Sequence, residues 1–132
     1  MRRIPLFLLL LMTAGLSAPA AARVSHVAAQ HRPAQEMLQT MESMTRLMDS
    51  VRNREAADAA APQLTKLYKE YRTQRNAAEN AAPMTGQALE KHLTQMDRSM
   101  DDFRMACARL MREKFYGSTR LGGTVKKIAK GF

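Results

Sequence analysis

Methionine and cysteine are the residues of this chain whose side chains and spacing could support chemistry. The 132-residue sequence has 11 methionines and one cysteine, Cys107. Met41, Met44 and Met48 recur at helical spacing, and soft thioether sulfurs bind Cu(I). If Cys107 faces this run from another helix, its thiolate would be a further soft ligand. The same spacing fits a buried stripe in which unbranched methionine fills gaps between helices, and we favour this packing interpretation.

The remaining polar residues form no catalytic pattern. The three histidines are His26, His31 and His92, and the first two fall in a predicted linker. The sequence contains neither a nucleophile elbow nor a glycine-rich phosphate loop. Asp101 and Asp102 are adjacent, and adjacent residues diverge on a helix. A C-x-x-C-H heme-attachment motif is also missing. We therefore predict that the protein is not an enzyme and that it binds no cofactor.

Residues 1–22 have the pattern of a cleavable secretory signal peptide. Two arginines precede an apolar run from Ile4 to Met12, and small residues follow, with A-x-A sites that end at Ala20 and Ala22. The apolar run is well short of the roughly 20 residues that a membrane-spanning helix needs. We expect cleavage before Arg23 and a periplasmic or secreted protein. A single cysteine allows no internal disulfide, so helix packing must stabilise the fold.

Apolar residues at alternating steps of three and four predict amphipathic helices at 34–52, 54–79 and 84–116. A polar, alanine-rich linker at 23–33 precedes them, and Asn53 is the predicted N-cap of the second helix. Short connections favour an all-α fold, either an antiparallel three-helix bundle or a long helical hairpin with coiled-coil-like seams. Self-association is also compatible with such seams. The predicted seam of the third helix comprises Leu89, Leu93, Met96, Met100, Phe103, Cys107 and Leu110.

Positive charge is concentrated after the predicted bundle. The net charge is +9, yet residues 34–114 hold 13 basic and 12 acidic residues, while residues 117–132 hold four basic residues and no acidic one. We predict that this basic tail is flexible and becomes helical when it binds. Since an exported protein rarely meets nucleic acid, the expected partner is an acidic envelope component, anionic lipid or an acidic protein. The predicted contact residues are Val125, Lys126, Lys127, Ile128, Lys130 and Phe132.

The stretch from Asn53 to Leu64, NREAADAAAPQL, resembles an alanine-rich turn-into-helix element of small exported helical bacterial proteins. This resemblance implies a helical hairpin and no activity. In size, export and charge the chain is also similar to Spy-type periplasmic chaperones. Their L-T-x-x-Q signature is not matched, because Leu93 and Thr94 are followed by Gln95, Met96 and Asp97.

These observations predict a non-enzymatic binding or structural protein of the cell envelope, with a chaperone-like role included in that class. The alternative is a periplasmic methionine-rich copper-binding protein. In that case the metal ligands would be Met41, Met44, Met48 and Cys107.

Overall fold

A computed structural model describes the backbone of residues 18–132 and the side chains of residues 31–132. This part of the chain forms four α-helices and no strand: α1 (Ala18–Ser50), α2 (Arg54–Glu79), α3 (Gly86–Arg112) and α4 (Thr119–Ala129). The predicted all-α helical bundle is confirmed. None of these helices is long and apolar enough to cross a membrane. Most of the predicted signal peptide, residues 1–17, lies outside the described residues.

The chain divides into two units between Gln30 and His31, and the bundle belongs to the second unit. Within it, α1 and α3 run in the same direction. Met48 of α1 meets Cys107 of α3 at one end, and His31 and His92 line one groove towards the other end. α2 runs in the opposite direction, because Asp58 near its start contacts Ser118 just beyond the end of α3, whereas Tyr71 further along shares the ring of Phe132 with Phe103. Short connections in a helical bundle favour this arrangement.

Methionines of α1 form the centre of the core. The side chains of Met41, Met44 and Met48 are fully buried, and they belong to one apolar cluster with Leu64 of α2 and Leu110 of α3. The regular spacing in the sequence is therefore explained by packing alone. Methionine suits this position because its flexible chain fills irregular space between helices.

The predicted linker at 23–33 is wrong, because these residues continue α1, which begins at Ala18. Pro33 lies inside this helix and not at its first position. An internal proline costs about 3 kcal/mol, which is why it suggested a helix start. The residues before it are rich in alanine, the residue with the highest helix propensity. Polar, alanine-rich composition therefore did not distinguish a linker from a helix.

The predicted seam of α3 is buried only in its second half. Phe103 and Leu110 are buried, whereas Leu89 is 37% exposed and Leu93 is 51% exposed. α3 also begins and ends inside the predicted range of 84–116. Leu93 precedes Phe103 by ten residues, or about 15 Å along a helix. The sequence pattern could not show that the covering helices leave this half of α3 open.

The predicted flexible tail is also wrong, because residues 119–129 form α4 and pack on the bundle. Leu121, Val125 and Ile128 are buried. Beyond the helix, the ring centroid of Phe132 lies 4.9 Å from that of Phe103 and 5.0 Å from that of Tyr71. An isolated helix of this length is unstable in water. Burial of its apolar face against the bundle stabilises α4.

Candidate functional site

α4 is preceded by an unusual left-handed turn, Lys114–Gly117. Lys114, Phe115 and Tyr116 have φ values of 51°, 53° and 52°, and Gly117 has a φ of 79°. This conformation costs a residue with a Cβ atom roughly 1–2 kcal/mol. The turn therefore persists only because contacts around it compensate for the strain.

Arg109 of α3 supplies one of those contacts and also bonds to the end of α1. Its guanidinium donates to the carbonyl oxygens of Met48, at 2.6 Å, and Val51, at 3.3 Å. It also donates a 3.0 Å hydrogen bond to the hydroxyl of Tyr116. The two carbonyls lie at the end of α1, where a cation interacts favourably with the helix dipole. One side chain thus joins α1, α3 and the left-handed turn.

Ser118 fixes the start of α4. Its hydroxyl oxygen accepts a 3.1 Å hydrogen bond from the backbone N–H of Leu121, which is an N-cap interaction. The same hydroxyl donates to the carboxylate of Asp58 on α2, at 2.6 Å. Because Ser118 is buried, this pair anchors α4 to α2 at one end. At the other end, Arg75 Nη1 lies 3.5 Å from the carbonyl oxygen of Gly131.

This docking leaves a row of cations on the outer side of α4. We call Arg120, Lys126, Lys127 and Lys130 the basic face, and all four are exposed. Residues 114–132 contain no acidic residue, so no carboxylate in this segment neutralises them. Arg120 and Lys130 are ten residues apart, which corresponds to about 15 Å along a helix.

The structure divides the predicted contact residues into two groups. Lys126, Lys127 and Lys130 are exposed, whereas Val125 and Ile128 are buried against the bundle. Phe132 is intermediate between these groups, because it is 39% exposed and also contacts the aromatic rings of Phe103 and Tyr71. In this conformation a partner can therefore contact the three lysines, but it cannot reach the buried apolar side of α4.

The predicted sulfur cluster is partly assembled. Cys107 Sγ lies 3.9 Å from Met48 Sδ, which places the cysteine against the α1 methionines. Cys107 is half-buried, whereas Met41, Met44 and Met48 are fully buried. Burial raises the pKa of the Cys107 thiol to about 11. The thiol is therefore protonated at neutral pH, and a metal ion would have to displace that proton before it could bind.

A second group of possible ligands was missed by the sequence analysis. A groove of about 520 Å³ between α1 and α3 is lined by His31, Met84 and His92, together with Lys91 and Glu42. Burial, and then the positive charge of His31, lower the pKa of His92. The sequence analysis places His31 in a linker, so no helical pattern connects it with His92. Among the described residues, no three His, Cys, Asp or Glu side chains are grouped to hold a metal ion.

No family model matches the chain, and no curated protein or solved structure is detectably similar to it. Function must therefore be argued from the groups described above.

Proposed function

We propose that this chain is an exported, non-enzymatic helical protein that binds an anionic component of the cell envelope through the basic face of α4. One observation carries the proposal: all four cations of the basic face are exposed while the apolar side chains of α4 are buried in the bundle. The helix is thus held in one orientation with its charges outward, so binding does not have to fold a flexible segment. The signal-like N-terminal segment, residues 1–22, supports export.

Anionic lipid headgroups are the partner that this geometry fits best. A row of exposed lysines and an arginine on one helix can meet a flat, negatively charged surface without a recognition pocket. Each lysine near such a surface contributes about 1 kcal/mol. Because the cations are exposed, salt should screen the attraction strongly. We therefore expect weak binding that decreases steeply with ionic strength.

Vesicle co-sedimentation of the full mature chain tests this proposal. Phosphatidylglycerol-containing vesicles should retain the protein at low salt, and phosphatidylcholine vesicles should not. The triple variant Lys126→Gln, Lys127→Gln, Lys130→Gln should lose about a hundredfold in affinity, since three contributions of about 1 kcal/mol add up to about 3 kcal/mol. The control is Arg98→Gln, Arg104→Gln, Arg112→Gln, which removes the same charge from exposed positions on α3.

Each other outcome of this experiment has a definite meaning. Equal loss in the two triple variants would show that net charge is responsible and that α4 is not the binding site. Binding to poly-glutamate but not to either vesicle would assign the basic face to an acidic polymer or protein. N-terminal sequencing of the envelope fraction should find a chain that begins at Arg23; a cytoplasmic, unprocessed chain would contradict export.

A chaperone-like role would use the open half of α3. Leu89 and Leu93 expose apolar area there, and Met105 and Met111 are 70% and 59% exposed further along the same helix. Suppression of the aggregation of a reduced, unfolding model protein tests this role. Leu93→Gln should weaken the suppression, whereas Lys126→Gln should leave it unchanged. Absence of suppression by the wild-type chain would exclude the role.

Copper binding by the sulfur cluster is the second candidate function. It is favoured by the 3.9 Å approach of Cys107 Sγ to Met48 Sδ, since two soft sulfurs at this separation could share a Cu(I) ion. A Cu(I) titration of wild type, Cys107→Ser and Met44→Leu tests it. A copper site here predicts stoichiometric binding that Cys107→Ser abolishes, while packing alone predicts that neither substitution alters the titration.

A further inference from the structure

One side of α3 carries an apolar stripe that the rest of the bundle leaves partly open. Leu89, Leu93 and Met111 are 37%, 51% and 59% exposed, and half-buried sulfur-containing side chains lie between them. Leu93 and Met111 lie on the same side of the helix, because they are 18 residues apart, which is about five turns. Leu89 and Cys107 have the same separation. We call this set the outer stripe: Leu89, Leu93, Met96, Met100, Cys107 and Met111.

The spacing of the outer stripe is symmetric about Met100. Leu93 and Cys107 lie seven positions from Met100 on either side, and Leu89 and Met111 lie eleven positions from it. A two-fold axis at Met100 would therefore place Leu93 opposite Cys107 of a second copy, and Leu89 opposite Met111 of that copy. The stripe is thus complementary to itself in an antiparallel pair of α3 helices, as a two-fold interface requires. Its length is about 33 Å at about 1.5 Å per residue.

Exposed charges beside the outer stripe favour the same antiparallel arrangement. Asp97 and Arg104 are both exposed, and they are seven residues apart, so they lie on one flank of the stripe. With the two-fold axis at Met100, Asp97 of each copy lies beside Arg104 of the other copy. In a parallel pair each residue would be level with its own copy, and like charges would meet, which is unfavourable. Arg104 also lies 3.7 Å from Asp101 of its own helix, but both side chains are exposed, and such pairs contribute little.

We propose that a second copy of this chain packs on the outer stripe, with the two α3 helices antiparallel about a two-fold axis at Met100. Burial of Leu89, Leu93 and Met111 favours association. A contact along one face of one helix is smaller than a standard protein interface, so we expect a dissociation constant on the order of micromolar. The proposal does not rest on the basic face, because the outer stripe belongs entirely to α3.

Cysteine cross-linking of the full mature chain tests the position of the axis. In a Cys107→Ser background, Met100→Cys should form a disulfide-linked dimer on mild oxidation, because a residue on the axis lies opposite its own copy. Met105→Cys is the matched control: Met105 is 70% exposed, but five residues from Met100 turn it about 140° away, so it should not cross-link efficiently. Leu89→Cys mixed with Met111→Cys should give a mixed dimer. Efficient cross-linking of Met111→Cys with itself would overturn the antiparallel arrangement.

Sedimentation equilibrium measures the association of chains that carry no added cysteine. Wild type should form a reversible dimer, Leu93→Gln should weaken dimerisation at least tenfold, and Met105→Gln should leave it unchanged. Asp97→Arg and Arg104→Asp should each weaken dimerisation, whereas the double variant should restore it, because the exchange recreates both ion pairs between copies. Circular dichroism identifies any variant that does not fold. Failure of the double variant to dimerise while it remains folded would contradict the pairing of these charges.

The remaining outcomes separate this proposal from the others. A wild-type chain that stays monomeric at concentrations on the order of 0.1 mM would overturn the proposal. If that monomer suppresses aggregation, the outer stripe belongs to unfolded clients instead. The variant Lys126→Gln, Lys127→Gln, Lys130→Gln should dimerise as wild type does. Vesicle binding measured below the dissociation constant of the dimer reports on the monomer, so the two proposals can fail independently.

Discussion

The guanidinium of Arg109 donates a 2.6 Å hydrogen bond to the carbonyl oxygen of Met48, in the last turn of α1. Carbonyls at a helix C-terminus have no partner within their own helix, and a cation is favourable there. The same guanidinium reaches Tyr116, whose backbone is left-handed. Arg109 therefore links the end of α1 to the segment from which α4 departs.

Replacing this arginine should destabilise the protein. Arg109→Gln removes hydrogen bonds from a charged donor, and such bonds are each worth about 1.5–3 kcal/mol. We expect the free energy of unfolding to fall by about 2–3 kcal/mol in chemical denaturation. Arg112→Gln, at an exposed position in the last turn of α3, should change it by less than about 0.5 kcal/mol. Equal losses of stability in the two variants would show that the positive charge stabilises the fold and that the hydrogen bonds of Arg109 do not.

Some elements were predictable because their signals are local. Asn53 was identified as the N-cap of α2, and its side-chain oxygen accepts a 2.8 Å hydrogen bond from the N–H of Ala56. The methionine stripe of α1 was identified as core from its spacing alone. In contrast, the role of Arg109 depends on contacts with residues about 60 positions away, and no local pattern encodes such contacts.

Alanine substitutions at two adjacent glycines of α4 should change the free energy of unfolding in opposite directions. A methyl group at Gly122 would lie 3.1 Å from the ring of Phe115, while nothing lies within 4 Å of one at Gly123. The ring of Phe115 cannot easily move away from such a methyl group, because the left-handed turn holds the Phe115 backbone. Gly123→Ala should therefore raise the free energy of unfolding by up to about 1 kcal/mol through helix propensity. Gly122→Ala should lower it; equal stabilisation by both would contradict the close approach of Phe115.

The docking of α4 has a direct test in its apolar face. Ile128→Ala removes a side chain that is 2% exposed, and such truncations in a core cost about 2–5 kcal/mol. Denaturant unfolding should show this loss. Lys127→Ala, at the neighbouring exposed position, should change the free energy of unfolding by less than about 0.5 kcal/mol. A flexible tail would make both substitutions neutral.

Cys107 should be slow to react. Burial raises its pKa from 9.0 to about 11, and the thiolate is the reactive form. Alkylation by iodoacetamide near neutral pH should be about a hundredfold slower than for an ordinary thiol, because a pKa of about 11 instead of 9.0 leaves about a hundredfold less thiolate. Met111→Cys in a Cys107→Ser background provides an exposed thiol on the same helix for comparison. Equal rates would show that Cys107 is accessible and its pKa ordinary.

The groove histidines show why this groove escaped sequence analysis. His31 and His92 are 61 positions apart, and only the extension of α1 through Pro33 brings His31 onto a helix beside α3. Helical periodicity assigns residues to faces of one helix, but it does not state which residues of two parallel helices lie at the same level. That information depends on the lengths of α1 and α2 and on how they pack.

The last prediction concerns the pH dependence of stability in this groove. The pKa of His92 is lowered from its ordinary value of 6.5 in the folded chain, so the unfolded chain binds its proton more readily. The contribution of His92 to stability is thus present above pH 6.5 and is lost as the pH falls towards the folded-state pKa. Burial, and then the charge of His31, oppose protonation of His92. Denaturant unfolding of wild type, repeated in steps of decreasing pH below neutrality, should show a decline in stability that is smaller in His92→Gln. Lys91→Gln keeps the histidine and should retain the decline. Identical profiles for wild type and His92→Gln would mean that His92 titrates in the folded chain as it does in the unfolded one.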